Sequence, residues 1–255
     1  MKIVASYNVK GGVGKTTAAV NLAYLSAQRG RRTLLWDLDP QGAATFLFRV
    51  KPRVKGGSKK LVGGQRPIDA GLKGTDFEGL DLLPADVTYR KMDLDLASAS
   101  AKRPESTLSK LLADLADDYD VVILDTPPSL SLVSENVLHA ADLVVVPIIP
   151  TVLATRTYDQ VVDFLDGFDG HRPPLHAFFS MADRRKALHR DIIAELPQKR
   201  SGFSSVVVPA LAQIERMTTR QAPLPAFSPR SRATQAYKEL WDEVAKLVDN
   251  SEVRR

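Results

Sequence analysis

Residues 8–17, NVKGGVGKTT, have the types and spacing of a phosphate-binding loop. Backbone N–H groups from Gly11 to Thr16 can converge on an anion, and a helix beginning there adds partial positive charge. Gly11, Gly12, Val13, Gly14, Thr16 and Thr17 would form the cradle. Lys15 would reach the β and γ phosphates of a nucleotide, and the Thr16 hydroxyl would ligate Mg²⁺. The stretch nevertheless departs from the pattern G-x-x-x-x-G-K-[ST]. Counting back from Gly14-Lys15-Thr16, the first glycine should stand at position 9, which is Val9, and an additional lysine, Lys10, follows it.

Three carboxylates belong to the same candidate site. Asp125 follows the apolar run Val121-Val122-Ile123-Leu124, so it falls at the carboxyl end of a strand. In an open parallel sheet that edge is where ligands bind. Asp125 is therefore expected to support Mg²⁺, directly or through water. Asp37 and Asp39 close a second run, and one division turns Asp37 toward the metal and Asp39 toward an attacking water. Such a pair could also cap a turn, but three strand-end carboxylates beside a phosphate loop argue against that.

The elements that must position these groups follow from the apolar pattern. KIVASY (2–7), RTLLWDLDP (32–40), LDLLP (80–84), DVVILDTPP (120–128), DLVVVPIIP (142–150), LHAFFS (175–180) and SSVVVP (204–209) read as strands. Several are continuously apolar, as suits strands covered on both faces. Between them, 16–29 has helical spacing closed by Gly30, and Leu108, Leu111, Leu112 and Leu115 mark one face of another helix. Strands alternating with helices predict one α/β domain over residues 1–255, with a mostly parallel twisted sheet and helices on both faces. Two stretches break the rhythm. Residues 49–66 hold seven basic residues, four glycines and no acid, which predicts a flexible basic loop or insertion. Residues 235–249 place Tyr237, Leu240, Trp241, Val244 and Val248 on one helical face, expected to dock on the sheet.

Composition excludes several classes. The chain has 255 residues, enough for one large core or two small ones. It has no cysteine, which removes disulfides, thiolate metal sites and iron–sulfur clusters. His139, His171, His176 and His189 match no metal-ligand spacing and read as surface or packing residues. No apolar run is long enough to span a bilayer, and the N-terminus lacks a signal-peptide pattern, so a cytoplasmic location is expected. The net charge of +5 leans toward anionic partners.

KGGVGKTT followed by LLWDLDPQGAAT and VVILDTPPS resembles the ParA/MinD family of deviant Walker A ATPases, closest to its short members. GLDLLPA (79–85), ADLVVVPIIPT (141–151) and the blocks within 206–240 follow in the family's order. The resemblance implies a P-loop NTPase fold, ATP and Mg²⁺ as cofactors and a homodimer when ATP is bound. It assigns Lys10 to the phosphates held by the partner chain, Asp39 to the water, Asp37 and Asp125 to Mg²⁺, and Met181 and Asp183 to the neighbourhood of the adenine. A lysine near the γ-phosphate would offset charge developing in hydrolysis, as an arginine finger does. No N-K-x-D signature for guanine is present.

One branch of that family binds DNA non-specifically, and another binds membranes through a terminal helix. Between Arg172 and Arg232 stand eleven Lys/Arg and four acids, a net of 11 − 4 = +7. Clustered cations of this kind bind phosphate backbones without reading sequence. Arg216, Arg220, Arg230 and Arg232 are the expected DNA contacts. On the terminal helix Glu239, Asp242, Glu243 and Asp249 stand against Lys238 and Lys246, a balance that anionic lipid would repel. Arg254 and Arg255 are too few to reverse it. The expectation is therefore a weak ATPase on nucleoid DNA that positions a plasmid, chromosome origin or other cargo, with a cargo-linked partner stimulating hydrolysis. A MinD-like membrane regulator and an ATP-dependent small-molecule ligase are the alternatives.

Overall fold

The apolar runs become the strands of one eight-stranded sheet, seen in a computed structural model that describes residues 1–99, 103–168 and 170–250. Arg254 and Arg255 lie outside the described residues. The strands are β1 (Lys2–Ser6), β2 (Thr33–Asp37), β3 (Lys73–Gly74), β4 (Leu80–Leu83), β5 (Val121–Asp125), β6 (Leu143–Ile148), β7 (Leu175–Ala182) and β8 (Phe203–Pro209). Their order is β3-β4-β2-β5-β1-β6-β7-β8. Every neighbouring pair is parallel except β3 with β4. The two-residue β3 is an antiparallel edge strand that no apolar run signals.

Alternation along each strand sends successive side chains to opposite faces. Val4, Leu35, Ile123 and Val145 enter one core, while Ala5, Trp36, Leu124 and Val146 enter the other. Both cores are covered by helices, which explains why the central strands are apolar throughout. The first core is sealed by the Lys15–Gln28 and Arg232–Asn250 helices. The second lies under the Met92–Ala99, Thr107–Ala113, Leu132–Ala140 and Ala154–Asp166 helices.

The terminal helix begins at Arg232, three residues ahead of its expected start. Tyr237, Leu240, Trp241, Val244 and Val248 are all buried against the sheet. Its acids are tied down too: Asp242 pairs with Arg29 at 2.8 Å, Asp249 with Arg31 at 2.7 Å, and Glu243 with His176 at 2.9 Å.

Two sequence expectations need correction. The second strand ends at Asp37, so Asp39 lies beyond it in the following turn. The 49–66 segment is not a loop throughout: Gly57–Val62 is a helix, and Val54, Leu61 and Val62 are buried. Its lysines and glycines masked three apolar anchors. Gly57 has φ 66°, and a Cβ there would stand 2.8 Å from the Thr88 hydroxyl, so glycine is required for this packing. The histidines pack: His139 stacks on Phe168 with ring centroids 5.2 Å apart, and buried His189 accepts from the Asp183 N–H at 3.1 Å.

Candidate nucleotide-binding site

β1 ends at Ser6, and the chain passes through the glycine loop directly into the Lys15–Gln28 helix. Gly12 (φ 71°) and Gly14 (φ 97°, the residue before the helix) are left-handed, a conformation that glycine adopts without penalty. Side chains from neighbouring strand ends fix the loop. Asn8, fully buried, donates to the Pro147 carbonyl at 2.8 Å and accepts the Lys10 N–H at 2.9 Å. Ser6 donates to the Lys15 carbonyl at 2.9 Å and Ser180 to the Val13 carbonyl at 2.7 Å. These contacts fix the loop's shape from within the protein. Sequence reasoning assigned no role to Asn8, although an Asn bonding the N–H two residues ahead is a recognisable local motif.

Val9 and Lys10 part company here. Val9 is half-buried and packs on the core, while Lys10 is exposed. The position that usually holds glycine thus anchors the loop's entrance. Lys15 is buried, and its ammonium donates to the Lys10 carbonyl at 3.0 Å. Burial lowers its pKa, against the attraction of Asp125 and Asp39.

The carboxylates occupy the adjacent strand ends. Asp37 and Asp125 are register partners on β2 and β5, both fully buried. Asp37 accepts from the Thr45 N–H at 2.8 Å and the Thr45 hydroxyl at 2.7 Å. Burial pushes its pKa up to about 6, with Thr45 opposing. Neither oxygen of Asp125 has a hydrogen-bond partner of good geometry, although the Thr16 hydroxyl lies near enough to lower its pKa. Burial, and next the Asp37 charge, hold the Asp125 carboxyl well above the usual carboxylate range. Asp39 is partly exposed and accepts the Gln41 N–H at 2.9 Å.

The two orphaned oxygens of buried Asp125, beside a second buried acid and the Thr16 hydroxyl, fit a hard divalent cation. No group of three or more His, Cys, Asp or Glu able to hold a metal occurs among the described residues. A Mg²⁺ ion here would therefore draw its remaining oxygens from phosphate and water, as this ion commonly does.

The raised carboxyl pKa values have a stability consequence. A carboxyl that binds its proton more tightly folded than unfolded stabilises the fold relative to neutral pH only while protonated. For Asp37 that advantage is present below its ordinary 3.8 and is lost as pH rises through about 6. Asp125→Asn removes the worse-solvated charge, so the ligand-free protein should melt a few degrees higher at pH 7 and lose part of its pH dependence. Differential scanning fluorimetry between pH 5 and pH 8 checks this.

The cleft above the loop, about 240 Å³, is lined by Gly11, Gly12, Gly14, Lys15, Thr16, Thr17, Asp39, Pro128 and Met181. Met181 (φ 51°) follows Ser180 at the loop side of β7. Of the two residues expected beside the adenine, Met181 lines this cleft. Asp183 lines a neighbouring groove of about 730 Å³ and is paired with Arg185 at 2.9 Å.

The four arginines expected to contact DNA are exposed and have no ion-pair partner among the described residues. Arg216 and Arg220 lie on the Ala212–Arg220 helix and share a pocket with Phe227, whereas Arg232 lines the groove of Asp183. Arg172, Arg185, Lys199 and Arg200 are neutralised by Asp166, Asp183, Glu195 and Asp159. The unpaired charge of the segment is therefore narrower than its composition suggests.

A family model described as an AAA domain matches residues 1–174. The chain is 31% identical over 250 residues to the sporulation initiation inhibitor protein Soj of Bacillus subtilis, covering 96% of this chain and 98% of that one. It is 33% identical over 256 residues to the chromosome-partitioning ATPase Soj of Thermus thermophilus, covering 97% of each. Its fold matches that of cobyrinic acid a,c-diamide synthase from Mycobacterium smegmatis, solved with ADP and magnesium, at a TM-score of 0.82 and 29% identity over 99% of this chain and 97% of that one. With the phosphate loop, the strand-end carboxylates and full-length similarity together, the chain belongs to the ParA/Soj-type family of P-loop partitioning ATPases.

Proposed function

We propose that this protein is an ATP-driven dimerising switch that binds DNA without sequence preference and positions a cargo in the cytoplasm, on the nucleoid. Lys15 and the backbone of residues 11–17 hold the ATP phosphates; Thr16, Asp37 and Asp125 support Mg²⁺, and Asp39 orients the water. Met181, and Asp183 at the neighbouring groove, border the base. Lys10 acts on the nucleotide of the partner chain. A cargo-linked protein stimulates hydrolysis and so releases the complex from DNA.

The observation that carries this reading is the surface around Lys10. Its ammonium has no partner among the described residues, and Leu130, Val152 and Leu153 are 58%, 76% and 50% exposed. All four follow the carboxyl ends of β1, β5 and β6, beside the nucleotide cleft. Exposed apolar residues around an unused cation at a ligand edge suit a face that meets a second copy. Burial of the apolar face of the terminal helix favours DNA over membrane as the anionic partner.

ATP turnover and retention on random-sequence duplex DNA, each with ATP and with ADP, test the proposal, with liposome co-sedimentation alongside. ATP-dependent retention that weakens with salt supports it; retention indifferent to nucleotide contradicts it. Arg216→Ala and Arg220→Ala should each weaken binding to all sequences alike and reduce the salt slope by about 1. The synthase name of the M. smegmatis neighbour supports a second reading, an ATP-dependent small-molecule synthetase. That reading requires turnover driven by an acceptor substrate and unaffected by DNA.

A further inference from the structure

The basic 49–66 segment is built into a pocket rather than left as loose chain. A cavity of about 530 Å³ at the β3–β4 edge is lined by Lys51, Arg53, Lys55, Arg66 and Lys73, with Val50, Ala70 and Gly71 and no acid among its walls. Its frame is fixed. The Val54 N–H donates to the Asp86 carboxylate at 2.8 Å, and Val54 and Ile68 are buried on either side. Gly71 packs so tightly that a Cβ would stand 2.8 Å from the Leu83 side chain. The Nε of Arg66 is shielded from solvent and has no hydrogen-bond partner.

Five cations line one cavity whose walls hold no acid, and the Arg66 Nε is a shielded donor without an acceptor. A multiply charged oxyanion would give that donor an acceptor and the cations a counter-charge. We propose that this pocket is a second anion site, distinct from the nucleotide cleft, which takes a small molecule carrying two or more phosphate groups. The cavity falls in the size range of small-molecule sites and exceeds a single phosphate. Duplex DNA is a convex rod contacted by protruding side chains, and it does not reach a shielded Arg66 Nε. Guanidinium groups supply planar donor pairs for phosphate oxygens, and the three lysines add point charges. The assignment is independent of the DNA-switch reading.

The test uses the whole chain and inorganic pyrophosphate as probe, by calorimetry, with the nucleotide cleft saturated by ADP and free Mg²⁺ held constant. Wild type should show one saturable site. Arg66→Gln and Lys55→Gln should each weaken it about tenfold or more at an unchanged melting temperature. Lys55 is exposed, so its variant keeps the test valid if the Arg66 variant misfolds. A Lys15→Ala chain titrated without ADP should retain the site. The proposal is overturned if no saturable binding occurs. It is equally overturned if binding disappears with Lys15→Ala and survives Arg66→Gln, since the probe would then be in the phosphate loop. Displacement of pyrophosphate by a short duplex, with matching loss of duplex retention in both pocket variants, would assign the pocket to a DNA surface instead.

Discussion

Lys15→Ala is expected to abolish measurable ATP hydrolysis and to weaken ATP binding by about 30- to 1,000-fold, the effect of losing about 2–4 kcal/mol of charge-assisted contact to phosphate. The Lys15 ammonium donates to the Lys10 carbonyl at 3.0 Å, inside the loop it would serve. Burial already disfavours its charge, and Asp125 and Asp39 restore part of it. Incoming phosphates would supply the missing counter-charge, so the charged lysine is poised to bind anions. Alanine removes the cation and leaves Asp125 with less compensation. Binding of a fluorescent ATP analogue and release of phosphate measure the two losses, with a thermal melt to confirm folding.

Lys10→Ala should behave differently. The side chain is exposed, and only its backbone serves the loop, through the N–H to Asn8 and the carbonyl to Lys15. ATP binding should therefore stay within about twofold of wild type. Partner-stimulated hydrolysis should fall about 100- to 1,000-fold, the loss typical of one group that stabilises charge in the transition state. Equal losses of binding and turnover would show that Lys10 works within its own loop.

These contrasting expectations trace to features of unequal visibility in the sequence. The central strands were legible because both faces of the sheet are covered, which forces runs such as Val121–Leu124 to be apolar without break. The phosphate loop was legible because Gly12 and Gly14 need positive φ and Lys15 follows at fixed spacing. Asp39 was misplaced on a strand because LLWDLDP keeps an apolar residue between its acids, while Leu38 is in fact buried just past the end of β2. The Gly57–Val62 helix was hidden because its buried Leu61 and Val62 outweigh the poor propensity of Gly57 and the flanking glycines, and tertiary packing is invisible to local composition. Thr45, which fixes Asp37, and Ser180, which fixes Val13, act across 8 and 167 positions of sequence. Only the fold brings them together. Part of the Arg172–Arg232 charge excess is offset from outside that window, since Asp159 and Asp166 pair with Arg200 and Arg172.

Subunit mixing tests whether Lys10 completes the site of the other subunit. Lys10→Ala and Asp39→Ala chains would each be inactive alone, one lacking the cation and the other the group that orients water. Mixed in equal amounts with ATP, DNA and the stimulating partner, half of the dimers pair one chain of each kind. Each such dimer then holds one site with both an intact Asp39 and a Lys10 from across the interface. If Lys10 acts in trans, the mixture should recover about a quarter of wild-type hydrolysis, as random pairing in a two-fold dimer dictates. A mixture no more active than its separate components would contradict the account, because no chain in it carries both residues.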